Sequence, residues 1–134
     1  MAIIDASVYV SLVNAGEQAY TSSWAWFEDT RSKGEVIIAP VIMLAEVASA
    51  LSRGTGDPKL ANQIVQQLRD SILIDLLPVT KDLATTAAGI AADQRIRGCD
   101  AIYVAVAKQT DNELVTLDKQ QLNRAGSIIR VRTP

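Results

Sequence analysis

Four carboxylates stand inside apolar runs: Asp5 in MAIIDASVYV, Glu46 in VIMLAEVASAL, Asp100 in RGCDAIYVAVA and Asp118 in ELVTLDKQQL. Asp and Glu are rarely buried unless paired, and an isolated buried carboxylate is costly. Each placement has a local explanation. Asp5 and Asp100 suit helix N-caps, Asp118 can open a turn, and Glu46 can meet an arginine in a buried ion pair. Convergence in space accounts for all four together, and a hard cation such as Mg²⁺ or Mn²⁺ would then offset their repulsion. Ser7 and Thr116 each lie two residues from an acid. They are placed to hydrogen-bond a carboxylate or a metal-bound water, or to serve a local cap or turn. Arg95 and Arg97, just before Asp100, are candidates for contact with phosphates, though they also read as ordinary surface charges, as do Lys119 and Arg124. Asp75 in ILIDLLPV is expected to face solvent and receives no role.

Composition removes the competing chemistries. The chain has no histidine, so Ser-His-Asp and Cys-His machinery, a histidine general base and a histidine-ligated zinc are all excluded. A single cysteine, Cys99, excludes an internal disulfide and a thiolate cluster. Chemistry therefore falls to carboxylates, hydroxyls, Lys and Arg. A net charge of −2 argues against a broad electrostatic grip on nucleic acid while leaving room for a basic rim around an acidic site. With 134 residues, 49% of them hydrophobic, the chain fits one domain over residues 1–134. No apolar run reaches a membrane span and the N-terminus lacks signal-peptide character, so the expectation is a cytoplasmic, unprocessed protein.

The elements that must position the acids follow from periodicity. AIID (2–5) reads as a short buried strand ending at Asp5. A helix follows over ASVYVSLVN, broken at Gly16. Tyr20, Trp24 and Phe27 mark a helix within 17–33, closed by Gly34. EVIIAP is a second strand, followed by a helix over 41–52 that carries Glu46 near its middle. RGTGDP is the clearest turn cluster. A helix over 58–70 and an edge strand in ILIDLLPV come next, with Pro78 limiting its pairing. Thr80 caps a helix over 81–96 that ends at Gly98, and Asp100 opens another. NELVTLD is a strand ending at Asp118, KQQLNRAG a short helix, and SIIRVR a last strand. Alternating strands and helices predict an α/β fold with a mainly parallel sheet covered on both faces. In such sheets ligands bind beyond the carboxyl ends of the strands, where Asp5 and Asp118 both fall.

The four segments IIDASVYV, LAEVASAL, RGCDAIYVAVA and LVTLD, in this order over nearly the whole chain, resemble the PIN-domain nucleases, and within them the small bacterial or archaeal toxins of VapC type. The resemblance implies a three-layer α/β/α fold, an acidic Mg²⁺ or Mn²⁺ site, endoribonuclease activity, a homodimer and a cognate antitoxin. Its acidic positions correspond to Asp5, Glu46, Asp100 and Asp118, with Ser7 and Thr116 at supporting positions. Asn123 stands where some members carry a further acid. The expected reaction is metal-assisted phosphodiester hydrolysis. Asp5 and Asp100 hold the principal ion, Asp118 and Glu46 assist directly or through water, and Glu46 or Asp118 helps to deprotonate the attacking water. The helix carrying Tyr20, Trp24 and Phe27 is expected to face partly toward an antitoxin or second subunit.

Other readings separate on particular residues. A response-regulator receiver needs an acidic pair after its first strand, and Asp5 stands alone. A haloacid-dehalogenase-type phosphatase needs Asp-x-Asp there, and Ser7 fills the second place. Within the resemblance, the rivals are a nuclease of RNA processing without an antitoxin and a catalytically inactive PIN-like interaction module.

Overall fold

The computed structural model describes residues 1–134. Five strands, β1 (Ala2–Ile4), β2 (Ile37–Pro40), β3 (Ile74–Leu77), β4 (Glu113–Val115) and β5 (Val131–Arg132), form one sheet in the order β3-β2-β1-β4-β5. Every pairing is parallel, so the mainly parallel sheet expected from sequence is wholly parallel. Seven helices flank it in three α/β/α layers: α1 (Ala6–Val13), α2 (Tyr20–Ser32), α3 (Met43–Thr55), α4 (Pro58–Arg69), α5 (Lys81–Gln94), α6 (Gly98–Thr110) and α7 (Lys119–Ala125).

The apolar runs AII, II and LV become the inner strands because a parallel sheet covered on both faces buries both sides of each strand. Ile3 pairs with Ile38 on one side and Leu114 on the other, and all three residues are buried. The chain lays down β1, β2 and β3 in one direction, then crosses to place β4 on the other side of β1. The crevice beyond the carboxyl ends of β1 and β4 is therefore the topological switch point, where open α/β sheets bind ligands. Helix α6 is buried nearly all round. Ala101, Tyr103, Val104, Ala105, Val106 and Ala107 lie within it against β1, β2, β4 and α5. With one Phe and two Trp in the chain, Ile, Val, Leu and Ala supply most of the core.

Several boundaries differ from the sequence expectations. The helix expected over 41–52 runs from Met43 to Thr55, so Glu46 lies in its first turn and not near its middle. RGTGDP is not a turn throughout. Leu51 is buried, the Thr55 hydroxyl donates to the Leu51 carbonyl at 2.7 Å, and the helix continues through Gly54. The break falls at Gly56, in the left-handed region at φ 69°, and Asp57 with Pro58 at once starts α4. Helix α5 stops at Gln94, capped by Arg95 at φ 54°, two residues sooner than expected and without a glycine. The last strand keeps only two of the six residues of SIIRVR. Asp75 is exposed on the edge strand β3, as expected.

Candidate active site

Asp5 follows β1 directly, in extended backbone, and caps α1 by accepting from the Val8 N–H at 3.2 Å. The cap role thus coincides with a place on the cleft described below. The same Oδ1 accepts the Ser7 hydroxyl, and Oδ2 accepts the Thr116 hydroxyl and the Gln121 Nε2 at 3.0 Å. Ser7 and Thr116 are themselves aimed by the backbone: Ser7 Oγ accepts from Leu117 N–H at 3.0 Å and Thr116 Oγ1 from Asp118 N–H at 2.9 Å. These bonds stitch the end of β1 to the end of β4.

Asp100 sits in the first turn of α6. Its Oδ2 accepts Arg97 Nε at 2.7 Å and its Oδ1 accepts Gln121 Nε2 at 3.2 Å. Asp118 caps α7 through Oδ1, which accepts the N–H groups of Gln120 and Gln121, while Oδ2 accepts Arg97 Nη2 at 2.9 Å. The turn reading of Asp118 resolves into a helix cap. Glu46, in the first turn of α3, accepts the Tyr103 hydroxyl at Oε2. No arginine pairs with Glu46; the buried tyrosine takes the place that the ion-pair reading gave to Arg. All four acids thus stand at the N-terminal ends of four helices, α1, α3, α6 and α7, where the positive end of each macrodipole favours negative charge. They line one cleft of about 590 Å³ together with Arg53, Arg97, Tyr103 and Gln121.

The cleft holds more negative charge than burial tolerates easily. Asp5 is 3% exposed, and burial raises its pKa above the ordinary value; the hydrogen bonds from Ser7, Thr116 and Val8 oppose the rise, and the charge of Asp100 adds to it. Burial also raises Glu46, opposed by the Tyr103 hydroxyl and reinforced by Asp100 and Asp5. Burial and the adjoining Glu46 drive the Tyr103 hydroxyl far up, so it remains a donor. Arg97, with its side chain 70% exposed, supplies a cation to both Asp100 and Asp118.

The donors that line the cleft are oxygens, the ligand type of Mg²⁺ and Mn²⁺. Asp5 feels the charge of Asp100, Glu46 feels the charges of both, and Gln121 Oε1 is buried there without a hydrogen-bond partner. This chemistry fits a hard divalent cation. The arrangement is not a ready-made cage, since no three carboxylates stand as a grouped ligand set. Asp5 and Asp100 are joined through the Gln121 amide, and Asp100 and Asp118 through Arg97.

Of the residues proposed from sequence, Asp5, Ser7, Glu46, Arg97, Asp100 and Asp118 line the cleft, and Thr116 supports Asp5 from beneath. Arg95 does not join them. It is exposed at the end of α5, where its carbonyl accepts Arg124 Nη1. Asn123 is exposed on α7, outside the cleft, so it replaces no acid there. The structure adds Gln121, Tyr103, Arg53 and Glu17 to the cleft, none of which stands out in the sequence. Gln121 lies three residues after Asp118 and four before the buried Ala125, and Tyr103 three after Asp100, which is one helical face in each case. Tyr20 and Trp24 stack edge to face, and Trp24 Nε1 donates to the Leu12 carbonyl at 2.9 Å, so this aromatic row fastens α2 to α1.

Comparison with known proteins agrees with this architecture. The family model described as PIN domain matches residues 2–127. No curated protein sequence matches the chain significantly. Among solved structures, it is similar to VapC20 of Mycobacterium tuberculosis, a sarcin-ricin-loop-cleaving toxin, with a TM-score of 0.78 at 20% identity, covering 98% of this chain and 99% of the other. It is also similar to VapBC2 of Rickettsia felis bound to a promoter DNA fragment (TM-score 0.74, 16% identity, 99% and 98% covered). A third likeness is to FitAcB of Neisseria gonorrhoeae (TM-score 0.69, 22% identity, 100% and 98% covered). At these identities the likeness is one of fold.

Proposed function

We propose that this chain, which belongs to the PIN-domain family, is a divalent-metal-dependent endoribonuclease and the toxin of a toxin–antitoxin pair. The observation that carries the reading is the meeting of four carboxylates, from four helix N-termini, in one cleft at the switch point of a parallel sheet. The likeness to a sarcin-ricin-loop-cleaving toxin supports RNA as the substrate, and the likeness to VapBC2 supports an antitoxin partner. A homodimer and a single domain over 1–134 belong to the same reading.

Asp5, Asp100 and Asp118 would hold Mg²⁺ or Mn²⁺. The ion, when bound, neutralises phosphate charge and acidifies the attacking water. Glu46 would serve as the base toward an attacking water. Its Oε2 is held by Tyr103, its Oε1 has no protein partner, and its raised pKa makes it a better base than a free glutamate. Ser7 and Thr116 keep Asp5 oriented. Arg97 is exposed and leaves its carboxylates readily once another cation satisfies them, so it is placed to contact an RNA phosphate, with Arg53 on the same cleft wall. Specificity then rests on exposed single-stranded RNA loops rather than on net attraction, since the chain is acidic.

The test is incubation of purified protein, free of any co-purified antitoxin, with tRNA, rRNA and total RNA in Mg²⁺, in Mn²⁺ and in EDTA, beside Asp100→Asn. Discrete cleavage is expected with metal and not with EDTA, and Asp100→Asn is expected to lose it by at least about a hundredfold. Cleavage that persists in EDTA, or in Asp100→Asn, would overturn the mechanism. No cleavage of any RNA would favour the inactive interaction module.

A further inference from the structure

Asp5 has no acceptor site left. A carboxylate offers about four lone-pair directions, and Asp5 fills them with the Ser7 hydroxyl and Val8 N–H on Oδ1 and the Thr116 hydroxyl and Gln121 amide on Oδ2. Direct coordination of a cation by Asp5 must therefore displace one donor. Three of the four are fixed by other duties. Val8 N–H belongs to the cap of α1, Ser7 is aimed by Leu117 N–H, and Thr116 by Asp118 N–H.

Gln121 differs. It is 2% exposed, its Nε2 reaches Asp5 and Asp100 together, and its Oε1 is buried with no partner. Nothing anchors the amide from its carbonyl end. In the present orientation the amide group supplies positive character between two carboxylates at the expense of an unsatisfied oxygen.

We propose that Gln121 is a positioning residue that competes internally with the metal: its amide N–H groups bridge Asp5 and Asp100, and a cation binds only as that bridge opens. The proposal rests on the metal-dependent reading above and goes beyond it by assigning to Gln121 the setting of metal affinity. Gln121 thereby lowers the affinity of the site and keeps the two acids paired when no ion holds them.

The experiment measures Mn²⁺ affinity by calorimetry without RNA for wild type, Gln121→Met, Gln121→Leu and Asp100→Asn. Both Gln121 variants lack the donor at similar volume. They are expected to melt lower in EDTA, yet to bind Mn²⁺ about tenfold more tightly, as suits one charge-assisted hydrogen bond no longer given up. Equal or weaker Mn²⁺ binding in the variants, with Asp100→Asn weakened, would overturn the competitor role alone. An Asp100→Asn that binds as well as wild type would instead overturn the carboxylate–metal reading. A second measurement needs only wild-type protein. The side-chain amide protons of Gln121, followed by NMR during Mg²⁺ titration, are expected to lose protection from exchange as the site saturates. Full protection at saturation would also sink the proposal.

Discussion

Asp5 and Glu46 reach the same condition against different numbers of opposing hydrogen bonds. Asp5 is buried and accepts four hydrogen bonds; Glu46 is half-buried and accepts one. Burial raises both above their ordinary pKa values. For Glu46 the sign has a direct consequence. Its folded-state value lies above its unfolded value of 4.5, so between the two the native protein holds more protons and stability falls as pH rises through that window. Glu46→Gln removes the penalty and keeps an oxygen for the Tyr103 hydroxyl. In EDTA near neutral pH it is expected to melt higher than wild type, by no more than about 1 kcal/mol because the group is half exposed. The gap should close as pH falls toward 4.5. Thermal melts across pH check this, and a gap that does not change with pH would remove the electrostatic account.

The helices deliver the acids, and their ends matter more than their lengths. Asp5 and Asp118 cap α1 and α7, while Glu46 and Asp100 occupy the first turns of α3 and α6. Four positive dipole ends therefore face one cleft, each favouring a nearby carboxylate by about 0.3–1 kcal/mol where exposed. The end of α5 shows the opposite economy. Arg95 holds φ 54°, a conformation that costs a non-glycine residue about 1 kcal/mol, and its side chain lies outside the cleft. Arg95→Gly is expected to leave RNA cleavage unchanged and to keep or raise the melting temperature, since relief of strain offsets the added chain entropy. A marked loss of RNA affinity would instead restore Arg95 as a phosphate contact.

At the scale of the molecule, a buried core carries an acidic mouth. The sheet, α6 and the surrounding helices share one hydrophobic cluster, and the cleft sits where the sheet reverses its winding. A cation bound there is linked to folding of the whole chain, because the unfolded chain has no such site. Saturating Mg²⁺ is expected to raise the melting temperature, with a gain of about 2.7 kcal/mol at roughly a hundredfold excess over Kd. Asp100→Asn should abolish most of that gain. Equal melting with Mg²⁺ and with EDTA in the wild type would show that the cleft binds no ion of this kind. No helix is long and apolar enough to cross a membrane.

The sequence by itself determined the element order, the parallel sheet and the four acids. Each of these is written in local pattern: buried strands read as unbroken apolar runs, and an acid inside such a run is conspicuous. It did not determine the Gln121 bridge, the Tyr103 contact or the separation of Arg97 from Arg95. Gln121 meets Asp5 across 116 residues and Tyr103 meets Glu46 across 57; such partners are chosen by the fold, which no local period records. Arg95 and Arg97 look alike in sequence, two residues apart. Only the end of α5 at one and the start of α6 at the other turns the first to solvent and the second onto the acids. The place of Glu46 also belongs to the tertiary structure, because burial of Met43, Val47 and Leu51 sets the register of α3 and so brings its first turn to the cleft.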